Sequence, residues 1–332
     1  MADVSSEFNF TPRRGLRHAH LQTIAGNFLP RTSLLPPGER RRFVVAEHRS
    51  GTPVQVECLC HWQTHRKTAM AVIIVHGLEG SVESQYVIGT GSKAWSAGMS
   101  VVRMNMRNCG GTETLTPTLY HSGLSADVGA VAKALIEDDG LERISIVGFS
   151  MGGNLALKLA GEWSDHAPGQ VKAFATVSPA MDLASSADAL HSWSNWLYEQ
   201  RFLRGLRRRY QRKAMLFPDL YDLAHLRRFV SIREFDHEIT ARYEGFSGAD
   251  DYYHKAAAAR VLEKIRIPTL VLHADDDPFI RILPETRAEL AANPAIRFIE
   301  TTHGGHCAFL APPNGYDGRW AEKTLIEFLA RL

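Results

Sequence analysis

A chain of 332 residues, 45% hydrophobic and 22% charged, can bury the core of one large α/β domain or of two smaller ones. Its formal net charge of +2 provides no chain-wide field for nucleic acid, so any basic patch must be local. The longest continuous apolar run, Ala69–Val75, is too short to span a bilayer, and the opening "MADVSSEFNFTPRRGLRHAH" holds no apolar stretch of the signal-peptide kind.

In chain order, strand patterns begin with "RFVVAEH" (42–48) and "PVQVECLC" (53–60). No helix separates these two, so they are expected to pair antiparallel at a sheet edge. Cys58 and Cys60 alternate along the second and share a face. With Cys109 and Cys307 they make neither a CxxC pair nor a zinc spacing, and they read as reduced thiols of a cytoplasmic protein. "AVIIVHG" (71–77) and "SVVRMNM" (100–106) follow as strands. "SADVGAVAKALIED" (125–138) then carries Val128, Val131, Ala132 and Leu135 at helical spacing. "ISIVGFS" (144–150) is a strand that runs directly into a helix, "GGNLALKLAGEW" (152–163). Further strands are "VKAFATVS" (171–178), "PTLVLHA" (268–274) and "AIRFIET" (295–301), and the chain closes on a helix, "DGRWAEKTLIEFLARL" (317–332). Unbroken apolar strands suit a parallel sheet buried on both faces, and their alternation with helices predicts a mostly parallel, doubly wound α/β sheet.

One interval breaks this rhythm. Leu183 to Ile265 shows no buried strand pattern, and its length is too great for a structureless loop in a compact domain. It is expected to be an inserted helical cap, dividing the chain into a first core part (1–182, with an N-terminal arm), the cap (183–265) and a second core part (266–332). Within it, "RFLRGLRRRYQRK" (201–213) places Phe202, Leu206 and Tyr210 on one stripe beside Leu203. Arg204, Arg207, Arg208 and Arg212 fall on the remaining faces, either as a solvated surface or as a peripheral contact with anionic lipid.

Chemistry enters at Gly148-Phe149-Ser150-Met151-Gly152. G-x-S-x-G between a strand and a helix describes a nucleophile elbow, a turn so sharp that flanking side chains would collide. It lifts the Ser150 hydroxyl to a helix N-terminus, where backbone N–H groups face developing negative charge. A serine hydroxyl needs a base, and the base needs an acid, in the chain order Ser, Asp or Glu, His. After Ser150, "PTLVLHA" runs into Asp275, Asp276 and Asp277, and "AIRFIET" runs into "THGGHCAFL". Asp277, last before Pro278, is the expected acid, and His306, freed by Gly304 and Gly305, the expected base titrating near neutrality. For the oxyanion, the donors are expected to be the backbone N–H groups of Met151 and of Leu78 in "HGLEGS" (76–81). His76 is read as structural, and Tyr120, His121 and Ser122 as a hydrogen-bonded loop that could also line the site. A metal centre built from His303, His306 and the aspartates is the weaker alternative, since no HExxH-type helix occurs.

Several of these segments resemble the YheT-like branch of the α/β-hydrolase superfamily. They are "HLQTI" (20–24), "HGLEGS" (76–81), "NMRNCGG" (105–111), "LYHSG" (119–123), "GFSMGGN" (148–154), "DDP" (276–278) and "GGHCAFL" (304–310), with "EFD" (234–236), "EGF" (244–246) and "DYY" (251–253) in the cap interval. The resemblance implies an α/β-hydrolase fold, the same Ser150, Asp277 and His306, and cofactor-free cleavage of acyl esters. "YYHKAAAARVL" (252–262) departs from the family pattern, which has serines after the tyrosine pair. The expectation is a metal-free, monomeric serine carboxylesterase acting on a small acyl ester or lipid, with no nucleic acid partner and no transmembrane segment. A lipase or phospholipase at a membrane surface and a non-catalytic acyl-ligand binder are the rival readings.

Overall fold

The structure, a computed structural model, describes residues 10–226 and 229–332. Eight apolar segments become strands: β1 (Glu39–Glu47), β2 (Pro53–His61), β3 (Ala71–Val75), β4 (Ser100–Met104), β5 (Ile144–Phe149), β6 (Val171–Val177), β7 (Thr269–Ala274) and β8 (Ile296–Thr301). They form one sheet in the order β1-β2-β4-β3-β5-β6-β7-β8. β1–β2 and β2–β4 pair antiparallel and every other pair is parallel. The antiparallel edge follows from the short turn between β1 and β2, which leaves no room for a crossover helix. β3, β4, β5 and β7 are buried along their whole length, as unbroken apolar runs require. β2 instead alternates, and Cys58 and Cys60 do share one buried face.

Helices cover both faces. α1 (Ala19–Phe28), α2 (Gln85–Ser96), α3 (Ser125–Glu137) and α4 (Met151–Trp163) precede β6. α3 and α4 bury Val128, Val131, Leu135, Leu155 and Leu159 against one face, while α2 and the C-terminal helix Trp320–Ala330 bury Val87, Ala94, Leu325 and Leu329 against the other. α1, α2 and the helix Pro284–Ala292 are helices in addition to those that the sequence patterns mark. α2 holds Gly89 and Gly91 because the chain around Arg31, Leu35 and Glu322 crosses it closely: a Cβ on Gly89 would lie 2.3 Å from Glu322 Oε2.

Between β6 and β7 the described residues form no strand. α5 (Leu183–Leu190) and α6 (Trp196–Leu216) are followed by a continuous helical run, Ile232–Phe235, a π-helical Asp236–Ala241 and Arg242–Glu244, and then by Ala249–Ala256. In α6, Leu206 and Tyr210 of the expected stripe are buried with Leu203 beside them, and Phe202 is half-buried. No helix among the described residues is long and apolar enough to cross a membrane.

From β3 the chain leaves toward β4 on one side and later returns as β5 on the other. The carboxyl ends of β3 and β5 therefore flank a crevice where the strand order reverses.

Candidate active site

At the end of β5 the backbone turns at Ser150 with φ 54° and ψ −117°, and α4 begins at the next residue. A non-glycine residue held there is strained, and the surroundings over-determine it. Ser150 N–H donates to Val177 O at 3.0 Å and Ser150 O accepts from Asn154 N–H at 3.1 Å. The glycines are dictated by contact. A Cβ on Gly148 would lie 2.3 Å from Gly152 O, and one on Gly152 would lie 2.4 Å from His76 O.

The β7 and β8 loops meet beside it. His306 Nδ1 and Asp277 Oδ2 are 2.9 Å apart, and Asp277 is fully buried. Oδ1 of Asp277 accepts from Phe279 N–H at 2.9 Å and Ile280 N–H at 3.0 Å, which leaves Oδ2 for the imidazole. Burial alone would raise this carboxyl, but the charge and hydrogen bond of His306, with His273 and the Ile280 amide, hold it at about 2. Burial would lower His306, yet the Asp277 charge outweighs it and lifts the imidazolium well above its usual range. This imidazole is therefore tuned upward from the near-neutral titration its residue type suggests. Of the alternatives in the same loops, Asp276 Oδ1 accepts from Gly305 N–H at 2.8 Å and its Oδ2 lies 3.3 Å from His303 Nδ1. His303 Nε2 accepts from Arg17 Nε at 2.8 Å, so both its nitrogens serve to shape the loop that carries His306. Among the described residues no three His, Cys, Asp or Glu side chains converge as metal ligands.

The β3 loop faces the elbow. His76 is buried with Nδ1 2.7 Å from Gly77 O, while Nε2 accepts from Met106 N–H at 3.1 Å. Burial pushes its pKa to about 4, so it is a neutral backbone strut. Leu78 and Met151 both border the cavity next to Ser150 and His306. Met151 is the first residue of α4, where N–H groups have no partner within the helix.

That cavity encloses about 1000 Å³ including its open mouth, and its walls are mostly apolar, among them Leu119, Leu183, Leu190, Phe202, Leu206 and Phe279. Tyr120, His121 and Ser122 all line it and are also tied into the surrounding framework. Tyr120 Oη donates to Glu79 Oε1 at 2.6 Å, and Ser122 N–H donates to Tyr252 Oη at 2.9 Å. Burial, with Arg107 and Lys158, drives His121 down to about 3, which keeps it neutral. Asn154 of α4 donates to Ser122 O and Ala256 O and accepts from Ala258 N–H, binding the elbow helix to the β6–β7 interval.

Three groups escape a reading of local pattern. Glu79, in the β3 loop at φ 57°, accepts from Arg209 Nε of α6 at 3.1 Å, so the loop carrying Leu78 is anchored from 130 residues away. Asp236 accepts from Thr240 Oγ1 at 2.7 Å and Tyr253 Oη at 2.8 Å and lines the cavity; burial lifts it to about 6. Thr23 of α1 accepts the His306 N–H at 2.8 Å, and Gln22 Oε1 accepts from Leu310 N–H at 2.8 Å. These last two contacts give "HLQTI" a physical meaning, because α1 clamps both ends of the segment that carries His306.

A family model described as the alpha/beta hydrolase fold matches residues 70–313. YheT of Escherichia coli (strain K12) is 31% identical over 98% of this chain and 94% of its own length. The monoacylglycerol lipase of Saccharomyces cerevisiae is 28% identical over 78% of this chain and 58% of its own. Phospholipase ABHD3 of Bos taurus is 29% identical over 77% of this chain and 61% of its own. The chain thus spans about six tenths of these eukaryotic relatives. Among solved structures, 2,6-dihydroxy-pseudo-oxynicotine hydrolase superposes with a TM-score of 0.59 at 18% identity, covering 94% of this chain and 71% of that one. The Pyrococcus furiosus esterase Pf2001 superposes at 0.54 with 14% identity, covering 89% and 92%. At such identities the likeness is one of fold.

Proposed function

Because the chain belongs to the α/β-hydrolase family, in its YheT-like branch, we propose that this hydrolase is a serine carboxylesterase working through an acyl-enzyme. One observation carries the reading: His306, joined at 2.9 Å to the buried Asp277, opens onto the same apolar cavity as the strained Ser150. His306 Nε2 takes the Ser150 proton as Oγ attacks the ester carbonyl, and the oxyanion accepts from the backbone N–H groups of Leu78 and Met151. Collapse breaks the acyl–oxygen bond, and the proton on His306 passes to the departing alcohol. Water, deprotonated by the same imidazole, attacks the acyl-enzyme and releases the acid. Asp277 holds the imidazole tautomer and stabilises the imidazolium. The helical interval 183–265 acts as a cap over this site, supported by the cavity walls it contributes through Leu183, Phe202 and Leu206.

A fluorophosphonate probe tests the reading, with the adduct mapped by peptide mass spectrometry. Labelling on Ser150 that Ser150→Ala abolishes is the expected result; hydrolysis that persists in Ser150→Ala overturns it. The acid is tested separately. Asp277→Asn lowers kcat about 10⁴-fold, whereas Asp276→Asn keeps most of it because Asp276 only shapes the loop. Since His306 must be neutral to act and Asp277 raises its pKa, the wild-type kcat/KM rises with pH along a limb above 6.5. The residual activity of Asp277→Asn rises at lower pH, and an unmoved limb would mean another group titrates.

A lipid ester taken from a membrane surface is the second reading. It is favoured by large apolar side chains exposed on α1 and at the start of α6, Phe28, Trp193 and Leu197 among them. Relatives named as a monoacylglycerol lipase and a phospholipase accord with it.

A further inference from the structure

α1 is turned inside out. Its buried side holds Gln22, Thr23 and Gly26, and its solvent side holds Leu21, Ile24 and Phe28 at spacings of three and four. The helix cannot roll over to hide them, because Gln22 and Thr23 are bonded to the His306 segment. α1 also does not stand alone. The His20 ring stacks on Tyr198 of α6 at 5.7 Å, with Nδ1 3.3 Å from the hydroxyl, so the first turns of α1 and α6 lie side by side. The start of α6 is exposed in the same manner: Trp193 is 91%, Leu197 74% and Trp196 52% solvent-accessible.

From Leu197 the same stripe of α6 continues as Arg201, Arg204 and Arg208, all exposed. Among the described residues none of the three has an ion-pair partner. The neighbouring acid Glu199 is turned inward, accepting from Ile232 N–H at 3.0 Å. Of the four arginines that the helical pattern offers as a solvated surface or a lipid contact, Arg212 is paired with Glu113 at 3.1 Å and Arg207 is partly buried. The exposed unpaired set is therefore Arg201, Arg204 and Arg208. The apolar patch also adjoins the chemistry: Tyr198 packs on Phe279 at 4.6 Å, and Phe279 packs on His306 at 4.7 Å.

We propose that α1 and the start of α6 form a docking face for an anionic lipid bilayer, seating the cavity mouth on the surface from which the substrate is drawn. Trp193, Trp196, Leu197, Leu21, Ile24 and Phe28 enter the headgroup layer, and Arg201, Arg204 and Arg208 meet lipid phosphate. Charge decides the occupant: these apolar side chains adjoin a row of unpaired guanidiniums with no acid among them, which repels a second copy of the same face and attracts an anionic surface. This inference rests on the lipid-ester reading, but binding can be scored without turnover.

The test is cosedimentation with phosphatidylcholine vesicles made with and without phosphatidylglycerol, using wild type, Ser150→Ala, Phe28→Ser/Trp193→Ser/Leu197→Ser and Arg201→Gln/Arg204→Gln/Arg208→Gln. Wild type and Ser150→Ala should bind the anionic vesicles equally, and less as salt is raised. The apolar triple variant should bind at least about tenfold more weakly. Each lost arginine should weaken binding about fivefold, on anionic vesicles only. Both triple variants should hydrolyse a soluble short-chain ester as wild type does. Wild type that ignores the vesicles while labelling normally at Ser150 overturns the docking face and leaves the hydrolase standing. Concentration-dependent dimers that the apolar variant abolishes would assign the face to a second copy instead, and would equally overturn the proposal.

Discussion

α4 and α1 are helices of 13 and 10 residues that both support the same site, and they are built in opposite senses. α4 buries nearly everything it has: Leu155, Ala156, Leu157, Leu159 and Ala160 face the sheet and the helices around it, and its N-terminus carries Ser150. α1 buries two polar side chains that hold the His306 segment and leaves its apolar side chains in water. The hydrophobic effect explains the first helix entirely and the second not at all. What holds α1 in place is the cost of leaving the His306 and Leu310 amides unpaired in a buried segment, about 1–3 kcal/mol for each lost partner. A helix held by polar contacts is free to keep its apolar face for something else.

Four experiments break or sharpen this contrast, beginning with the largest effect. Ser150→Ala removes the group that α4 presents, and kcat should fall about 10⁶-fold with the melting temperature nearly unchanged, as read by ester turnover and calorimetry. Gly152→Ala strikes the packing of α4 itself. With a Cβ only 2.4 Å from the His76 carbonyl, backbone must shift, and denaturant unfolding should show a loss of about 1–3 kcal/mol or more.

Thr23→Val tests the polar side of α1. It keeps the shape and removes the acceptor for the His306 amide, so kcat should fall about tenfold while KM stays close to wild type, and Thr23→Ser should restore most of the loss. Equal losses in the serine variant would make Thr23 a packing residue and not a positioning one. Smallest of all, Leu21→Ser combined with Ile24→Ser should leave unfolding within about 0.5 kcal/mol of wild type, because these side chains bury little in the isolated protein. A loss of several kcal/mol would mean that the solvent face of α1 is covered within the chain itself.

How much of this could be read without coordinates differs between the same two helices. The start of α4 was legible because its constraints are local. "ISIV" can only be a strand, "NLALKLA" a helix, and a serine between Gly148 and Gly152 must occupy the turn that joins them. Asp277 and His306 were legible for a related reason, since each follows an apolar strand and the chain order restricts which acid and which base can converge. The Glu79–Arg209 contact was not, because it joins a loop to a helix 130 residues on and neither segment's pattern points to the other. "HLQTI" stood out as a signature without disclosing that Thr23 reaches His306, 283 residues away. "EFD" and "DYY" stood out in the same way without disclosing that Asp236 accepts from Tyr253 and from Thr240.

By itself, then, the amino-acid order determined the strands, the elbow and the order of its partners, because periodicity and steric exclusion act between near neighbours in the chain. Only the tertiary structure decided which polar side chains brace the β3 loop and the His306 segment, and which apolar ones stay in water. Those outcomes depend on which distant surfaces meet, and a hydrogen bond or a buried face is specified by both surfaces together.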